Sequence, residues 1–342
     1  MSPSSRVLEA ARAVESRHIA FDDNCLLPAL FGRHDEHLAR IEQGLGVALV
    51  SRGNKLAISG APWSAEAAKL VIESLRQRLE RGLDVDAGEV DAAIRLVVQG
   101  GSGTSESHDN LAIITQQRRI SPRSLVQATY LRALRDHDLV FALGPAGTGK
   151  TYLAVAVASA MLVDGRVDRI VLSRPAVEAG ENLGFLPGDM RDKVDPYLRP
   201  LYDALHDMMP NEKVRRRLEN GDIEVAPLAF MRGRTLSNSF VILDEAQNTS
   251  PVQMKMCLTR LGENSRMVVT GDLSQIDLPR GARSGLRDAV DKLQGIDGVT
   301  TVTFSDIDVV RHDLVTRIVR AYERSDQEKP DAAGSSPEGS SS

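Results

Sequence analysis

Hydrophobic residues in the C-terminal two thirds of the chain form short continuous runs that alternate with longer helical patterns. The runs cover residues 139–143, 169–172, 240–243, 267–270 and 299–304. Helical spacing occurs between them, for example at residues 150–163, 251–261 and 284–293. Short apolar runs joined by helices are typical of strands buried on both faces of a parallel sheet. The pattern therefore predicts an α/β fold with a parallel sheet flanked by helices.

The first hundred residues predict a separate, small α+β domain. We expect a strand at 18–21, helices at 24–31 and 36–45, a hairpin of 47–51 with 56–59, and a closing helix at 65–81. Gly53 and Asn54 between the hairpin runs are a turn signal. This order resembles a KH domain, which holds an RNA backbone at a GxxG loop between its first two helices. Asp35 replaces the second glycine of that loop here, so a structural or protein-binding module is the alternative.

Composition marks two boundaries along the chain. A Gly/Ser-rich stretch begins at Gly100 and stays polar to Asn110, which is typical of a flexible linker. The last eighteen residues are dominated by Gly, Ser and Pro and cannot bury enough apolar surface to offset their ordering entropy. We expect an N-terminal domain at 1–100, a linker at 101–120, a second domain at 121–324 and a disordered tail at 325–342.

Charge and cysteine content narrow the function classes. The 342 residues carry a formal net charge of -5, so nucleic acid would have to bind at a local basic patch. Cys25 and Cys257 are far apart, which argues against a disulfide framework or a zinc site and favours a reducing compartment. The sequence contains no run of eighteen apolar residues, so no membrane span is predicted. The N-terminus lacks the apolar core of a signal peptide. A cytoplasmic protein is expected.

The segment GPAGTGKT at 144–151 predicts an ATP phosphate site. It fits GxxxxGK followed by Ser or Thr, and it lies between an apolar run and an apolar helix. Backbone N–H groups of such a loop wrap the phosphates at the positive end of the following helix. The residues expected to bind the nucleotide are Gly144, Pro145, Ala146, Gly147, Thr148, Gly149, Lys150 and Thr151. Lys150 is expected to reach the β and γ phosphates as a catalytic cation, and the Thr151 hydroxyl to ligate Mg²⁺.

Two further strand ends carry polar side chains that complete such a site. Asp244 and Glu245 follow the run at 240–243, where a parallel sheet places its ligands. Asp244 is predicted as the second Mg²⁺ ligand, and Glu245 as the group that polarises the attacking water. Thr270 or Gln275, after the run at 267–270, is expected to contact the γ-phosphate or the water. A plain loop is the alternative for this last segment.

Several spaced motifs together resemble the PhoH-like ATPases, a P-loop family related to superfamily 1 helicases. Besides the phosphate loop they are RPAVEAGENLGFLPG at 174–188, KVDPY at 193–197, MRGRT at 231–235, DEAQN at 244–248, GD at 271–272, IDLP at 276–279 and VRH at 310–312. The resemblance covers residues 121–323 and extends through the N-terminal module to the short, YbeZ-like cytoplasmic branch. Some relatives carry a PIN ribonuclease domain, but residues 1–110 show no acidic tetrad on strand ends.

The resemblance implies roles for positions that spacing alone does not assign. Gln127 lies where related helicases keep an adenine-recognising glutamine; a helix-surface glutamine is the alternative. Arg311 is implied as an arginine finger that acts across a subunit interface of a homo-oligomer, with a hexamer favoured, and Arg174 is a weaker candidate. A surface or salt-bridged arginine is the alternative for both. The family is also linked to ribosomal RNA metabolism and to the endoribonuclease YbeY as a partner.

Basic residues cluster in three places and predict an RNA track or, alternatively, an ordinary solvated face. They are Lys213, Arg215, Arg216 and Arg217; Arg232 and Arg234; and Arg280, Arg283 and Arg287. The sequence thus favours an ATPase that couples hydrolysis to remodelling of RNA or ribonucleoprotein. The alternative is a nucleotide-dependent switch or scaffold that binds a ribonuclease partner without unwinding. A small-molecule kinase is a distant third, because its lid and acceptor motifs are not visible.

Overall fold

The computed structural model of the chain describes residues 15–100, 111–175, 190–279 and 281–310, together with residues 315 and 318. The predicted tail at 325–342 and the Gly/Ser-rich stretch at 101–110 lie outside the described residues. None of the described helices combines the length and the apolar character needed to cross a membrane.

The N-terminal residues form a three-stranded antiparallel sheet that shares one apolar core with its helices. Its elements are β1 (Glu15–Ala20), α1 (Leu27–Phe31), α2 (Glu36–Leu45), β2 (Ala48–Arg52), β3 (Lys55–Gly60), α3 (Pro62–Glu80) and α4 (Ala87–Val98). The strand order is β1-β3-β2. The predicted sequence of elements is present, but the prediction missed α4, which the Asp86 side chain caps at the backbone N–H of Glu89. Assignment to the KH class stays a prediction.

The loop predicted to correspond to GxxG is a tight turn. Gly32 has a φ of 76°, and a Cβ there would lie 2.8 Å from both Glu36 Cγ and His37 Cγ. His34 and Asp35 are also left-handed, with φ of 53° and 59°. Glycine is therefore required at the first position of this loop by local packing, independently of any RNA contact.

The second unit contains a six-stranded parallel sheet, which confirms the predicted fold class. After the small hairpin β4 (Ile113–Ile114) and β5 (Arg119–Ile120) its elements are α5 (Leu125–Asp136), β6 (Leu139–Leu143), α6 (Lys150–Val163), β7 (Arg169–Arg174), α7 (Met190–Met208), α8 (Asn211–Asn220), β8 (Ile223–Pro227), β9 (Ser239–Leu243), α9 (Pro251–Leu258), β10 (Arg266–Gly271), α10 (Gly285–Leu293) and β11 (Val299–Thr303). The strand order is β11-β6-β10-β9-β7-β8.

The sheet is covered on both faces, as the continuous apolar runs predict. Every residue of β6 and β9 is buried. Alternate residues of β6 belong to different cores: Val140 and Ala142 pack with α6 and α7, whereas Leu139, Phe141 and Leu143 pack with α9 and α10. This two-sided burial fixes the strands, so that their carboxyl ends form one rigid edge.

Some predicted boundaries were wrong. Residues 111–120 were assigned to the linker, but Leu111, Ile113 and Ile120 are buried in the core of the second unit. The helix predicted at 251–261 ends at Leu258, and the strand predicted at 299–304 ends at Thr303. The prediction also missed β8, α5, α7 and α8.

Candidate nucleotide-binding site

The phosphate loop connects β6 to α6 at the carboxyl edge of the sheet. Gly144 has a φ of 135°, and a Cβ there would lie 2.4 Å from the carbonyl oxygen of Phe304. Its N–H donates to Gly271 O (3.1 Å), and Phe304 N donates to Leu143 O (2.7 Å). The loop therefore lies directly on the neighbouring segments that follow β10 and β11, and only glycine fits at its first position.

Lys150 is buried and folded back onto its own loop. Its ammonium donates to Gly144 O (2.6 Å), to Pro145 O (2.8 Å) and more weakly to Thr148 Oγ1 (3.4 Å). Thr148 Oγ1 in turn donates to Pro145 O (2.9 Å). These loop carbonyl oxygens accept hydrogen bonds from the same ammonium N–H groups as a bound phosphate would. Phosphate binding therefore requires Lys150 to exchange these contacts for contacts with phosphate oxygens.

Asp244, at the end of β9, is buried and held by several donors. Its Oδ1 accepts from the Thr151 hydroxyl and from the Thr270 hydroxyl, each at 2.6 Å. Its Oδ2 lies 3.3 Å from Arg174 Nη2. Thr270, one of the two residues expected to contact the γ-phosphate or the water, thus orients this carboxylate, and its contact with phosphate or water stays a prediction.

The Thr151–Asp244 pair fits a magnesium site. Mg²⁺ prefers oxygen ligands, and proteins usually bind it through one or two carboxylates together with substrate phosphates. Within the described residues there is no group of three or more His, Cys, Asp or Glu side chains that would form an all-protein cage. A site with one hydroxyl and one carboxylate, completed by phosphate, is consistent with both observations.

Glu245 begins the segment after Asp244 in an unusual backbone conformation. Its φ is 51°, in the left-handed region that costs a non-glycine residue about 1–3 kcal/mol. Its Oε1 accepts from Arg174 Nη2 (2.8 Å), and its Oε2 accepts from Gln247 Nε2 (2.6 Å). The side chain is 42% exposed, so its carboxylate is both fixed in place and open to solvent.

These groups surround one cavity of about 230 Å³. Its lining includes most of the predicted site, namely Ala146, Gly147, Gly149, Lys150, Thr151, Asp244, Glu245 and Gln275, and also Tyr152, Gly271 and Asp272. Gln275 is exposed at the mouth and donates its backbone N–H to Asp272 O (3.1 Å). The structure therefore brings the predicted phosphate, metal and water-activating residues together.

Gln127 lies behind the phosphate loop and is nearly fully buried. Its Nε2 donates to Thr148 O (3.0 Å), and its Oε1 accepts from Arg123 N (2.7 Å). These contacts give it a role in positioning the loop, and the implied adenine contact stays a prediction. Tyr130, on the same helix, donates its hydroxyl to Lys150 O (3.1 Å); burial, and secondarily the negative charge of Asp244, raise its pKa well above the ordinary value.

The remaining predicted residues are placed less directly. Arg311 lies outside the described residues, as does Arg280; the backbone N–H of Val310, next to Arg311, donates to Gly147 O (2.9 Å). Lys213, Arg215 and Arg216 are exposed on α8. Four of the predicted basic residues pair with carboxylates: Arg215 with Glu219, Arg217 with Asp222, Arg234 with Glu224, and Arg283 with Asp288 and Asp291. An RNA role for them stays a prediction.

Sequence reasoning missed the contacts of Arg174 and Gln247. Gln247 is buried, and its side chain joins the Glu245 carboxylate to the backbone N–H of Asp272, which donates to Gln247 Oε1 (3.1 Å). No local sequence signal identifies either contact, because both depend on which strand ends are neighbours. Arg174 is the last residue of β7 and Gln247 lies in the segment after β9, and these positions are the one indication that the sequence provides.

Comparison with known proteins agrees with this architecture. The family model for PhoH-like proteins matches residues 119–323. A PhoH-like protein of Bacillus subtilis is 47% identical over 298 residues, covering 86% of this chain and 93% of that protein. A PhoH-like protein of Mycobacterium tuberculosis is 49% identical over 300 residues, covering 87% and 85%. Protein PhoH of Escherichia coli is 44% identical over 239 residues, covering 68% and 66%. The P-loop and the parallel sheet imply nucleotide binding, and the chain belongs to the PhoH-like protein family.

Proposed function

We propose that this protein binds and hydrolyses ATP with Mg²⁺ and couples hydrolysis to remodelling of RNA or ribonucleoprotein. The observation that carries the ATPase proposal is the convergence of Lys150, the Thr151–Asp244 pair and Glu245 on one cavity. These are the phosphate cation, the metal ligands and the proton acceptor that phosphoryl transfer to water requires.

The resting contacts indicate how the residues would act. Backbone N–H groups of the loop and the start of α6 would hold the β and γ phosphates. The Lys150 ammonium would exchange Gly144 O and Pro145 O for phosphate oxygens. Thr151 and Asp244 would hold Mg²⁺, which when bound neutralises the charge that develops on the phosphates.

Glu245 would act on the attacking water. Its αL backbone directs it to the cavity beside Asp244, and the Gln247 bond holds one carboxylate oxygen in a fixed orientation. A carboxylate held in this way can accept a proton from a water placed near the γ-phosphate. Gln275, which lines the same cavity, would orient that water.

The RNA part of the proposal is supported by α8. Lys213, Arg215 and Arg216 are exposed on it, and phosphate contacts of exposed Lys and Arg dominate RNA affinity. We further propose that the protein works as a homo-oligomer, with Arg311 completing a neighbouring site and the endoribonuclease YbeY as a partner. Family membership supports these proposals.

The decisive experiment is ATP turnover of the full chain, measured with and without single-stranded and duplex RNA. Stimulation by RNA supports coupled remodelling. Nucleotide binding with turnover that RNA does not change would favour the switch or scaffold alternative. Absence of ATP binding would contradict the proposal as a whole.

A further inference from the structure

Arg174 occupies the corner of the site where the two acidic residues meet. It is the last residue of β7, and β7 pairs in parallel with β9 with Ser173 opposite Leu243. Arg174 and Asp244 follow these partners on neighbouring strands, so the register of the sheet places them side by side. The Arg174 side chain is 18% exposed and that of Asp244 is 7% exposed, which keeps water from screening the pair.

One guanidinium nitrogen contacts both carboxylates. Arg174 Nη2 lies 2.8 Å from Glu245 Oε1 and 3.3 Å from Asp244 Oδ2. Within the described part of the chain, the ion pairs of Asp244 and Glu245 both go to this one guanidinium. The Lys150 ammonium lines the cavity described above and is engaged by loop carbonyl oxygens, whereas Arg174 lines an adjoining cavity that shares Thr151, Asp244 and Glu245.

A divalent cation and Arg174 would therefore compete for the same charge. Asp244 Oδ1 already accepts two hydroxyl donors, and Oδ2 faces the guanidinium. A metal ion bound at the Thr151–Asp244 pair would lie close to a positive group that already offsets part of the charge of the two carboxylates. Two like charges a few ångströms apart repel each other strongly at the effective dielectric of about 20 near a protein surface.

We propose that Arg174 is a positioning and specificity residue that offsets part of the negative charge of the acidic corner and keeps free divalent metal out until nucleotide brings the metal in. Phosphate supplies the negative charge that makes a second cation favourable, and the guanidinium then releases Asp244. This inference rests on the proposed nucleotide site. It adds that the metal ion and the nucleotide enter that site together.

The test measures Mn²⁺ binding to the full chain without nucleotide, by electron paramagnetic resonance of the free ion. Arg174→Ala should bind Mn²⁺ roughly 10–100-fold more tightly than wild type, the size expected when a charge-assisted contact no longer competes. Arg174→Lys keeps the charge and should stay close to wild type. Arg234→Ala, which breaks the bidentate pair with Glu224 on β8 away from the cavity, is the matched control and should leave Mn²⁺ binding unchanged.

The double variant Arg174→Ala with Asp244→Ala tests whether the added Mn²⁺ binds at Asp244. It should lose the increase in Mn²⁺ affinity that Arg174→Ala shows. Where Arg174→Ala fails to fold by circular dichroism, Arg174→Gln removes the charge with a closer match in length. Unchanged Mn²⁺ affinity in the neutral variants, or an equal gain in Arg174→Lys, would overturn the proposal. The nucleotide proposal is decided separately, by titrating wild-type protein with ATP and Mg²⁺: failure there leaves the nucleotide-free Mn²⁺ result standing on its own.

Discussion

Replacement of Lys150 by alanine should weaken ATP binding. The contacts that the ammonium makes without nucleotide set a lower limit on the size of this loss. An ammonium about 4 Å from one phosphate charge gains about 4 kcal/mol at an effective dielectric of about 20. Release of one of its two carbonyl contacts, with Gly144 O or Pro145 O, to make room for that phosphate costs about 1.5–3 kcal/mol. The difference, about 1–2.5 kcal/mol, corresponds to roughly a 5- to 70-fold rise in the dissociation constant.

This range counts a single phosphate charge and is therefore a lower bound for ATP. A lysine in this position reaches both the β and the γ phosphate, so ATP should lose more affinity than ADP when the ammonium is removed. Without nucleotide, the same substitution takes a donor away from two loop carbonyl oxygens. We therefore also expect a lower melting temperature for the variant.

The assay is calorimetric titration of wild type and Lys150→Ala with ATP and with ADP, in the presence of Mg²⁺. Lys69→Ala is the control, because Lys69 lies on α3 of the N-terminal unit and pairs with Glu73. A dissociation constant for ATP within twofold of wild type would refute the reasoning. A larger loss for ADP than for ATP would refute the assignment of this ammonium to the γ-phosphate.

Three further outcomes test the remaining assignments. Glu245→Gln should keep ATP binding but lower turnover by roughly 10²–10⁴-fold, since the amide cannot accept the proton; near-normal phosphate release would show that another group is the base. Neutralising the basic residues of α8 should weaken RNA binding and flatten its salt dependence, and an unchanged slope in a filter-binding titration would mark them as a solvated face. The four positions are Lys213, Arg215, Arg216 and Arg217. Finally, mixing inactive Arg311→Ala and Lys150→Ala subunits should restore part of the ATPase activity, because some sites then combine an intact phosphate loop with an intact arginine from the neighbouring subunit. Subunit exchange is demonstrated by fluorescence transfer. If no activity returns at any mixing ratio, an arginine finger acting in trans is excluded.

The parts of the fold that the sequence predicted well are those whose residues are buried on both sides. Strand β6 is apolar at every position, β9 is apolar at every position after Ser239, and most residues of α6 are buried, so no alternation is needed to recognise them. Two of the missed elements, α8 and β8, have weaker patterns. Helix α8 has one buried side chain, Val214, and β8 is an edge strand of five residues that includes a glutamate and ends in proline.

In the candidate site, too, the sequence predicted some features and missed others. The phosphate loop and Asp244 follow from local motifs at strand ends, and the structure brings them together. The contact of Arg174 with Glu245 joins residues 71 positions apart, and it exists because β7 and β9 are neighbours in the sheet. Thr270 and Gln247 likewise take their roles from the order of the strands. A single sequence predicts which residues lie at the carboxyl edge of the sheet, but it does not predict which of their side chains contact one another.

The contact between Gly144 and Phe304 has a consequence for how the chain is made. Phe304 and the edge strand β11 are synthesised after the other five strands of the described sheet, long after the loop that they support. Until β11 emerges from the ribosome, β6 is the exposed edge of the sheet, and all five of its residues are ones that the finished protein buries. An apolar open edge is a template for pairing with other chains. A nascent or truncated chain that stops before residue 299 is therefore expected to aggregate, and it would depend on chaperones until its final strand closes the edge.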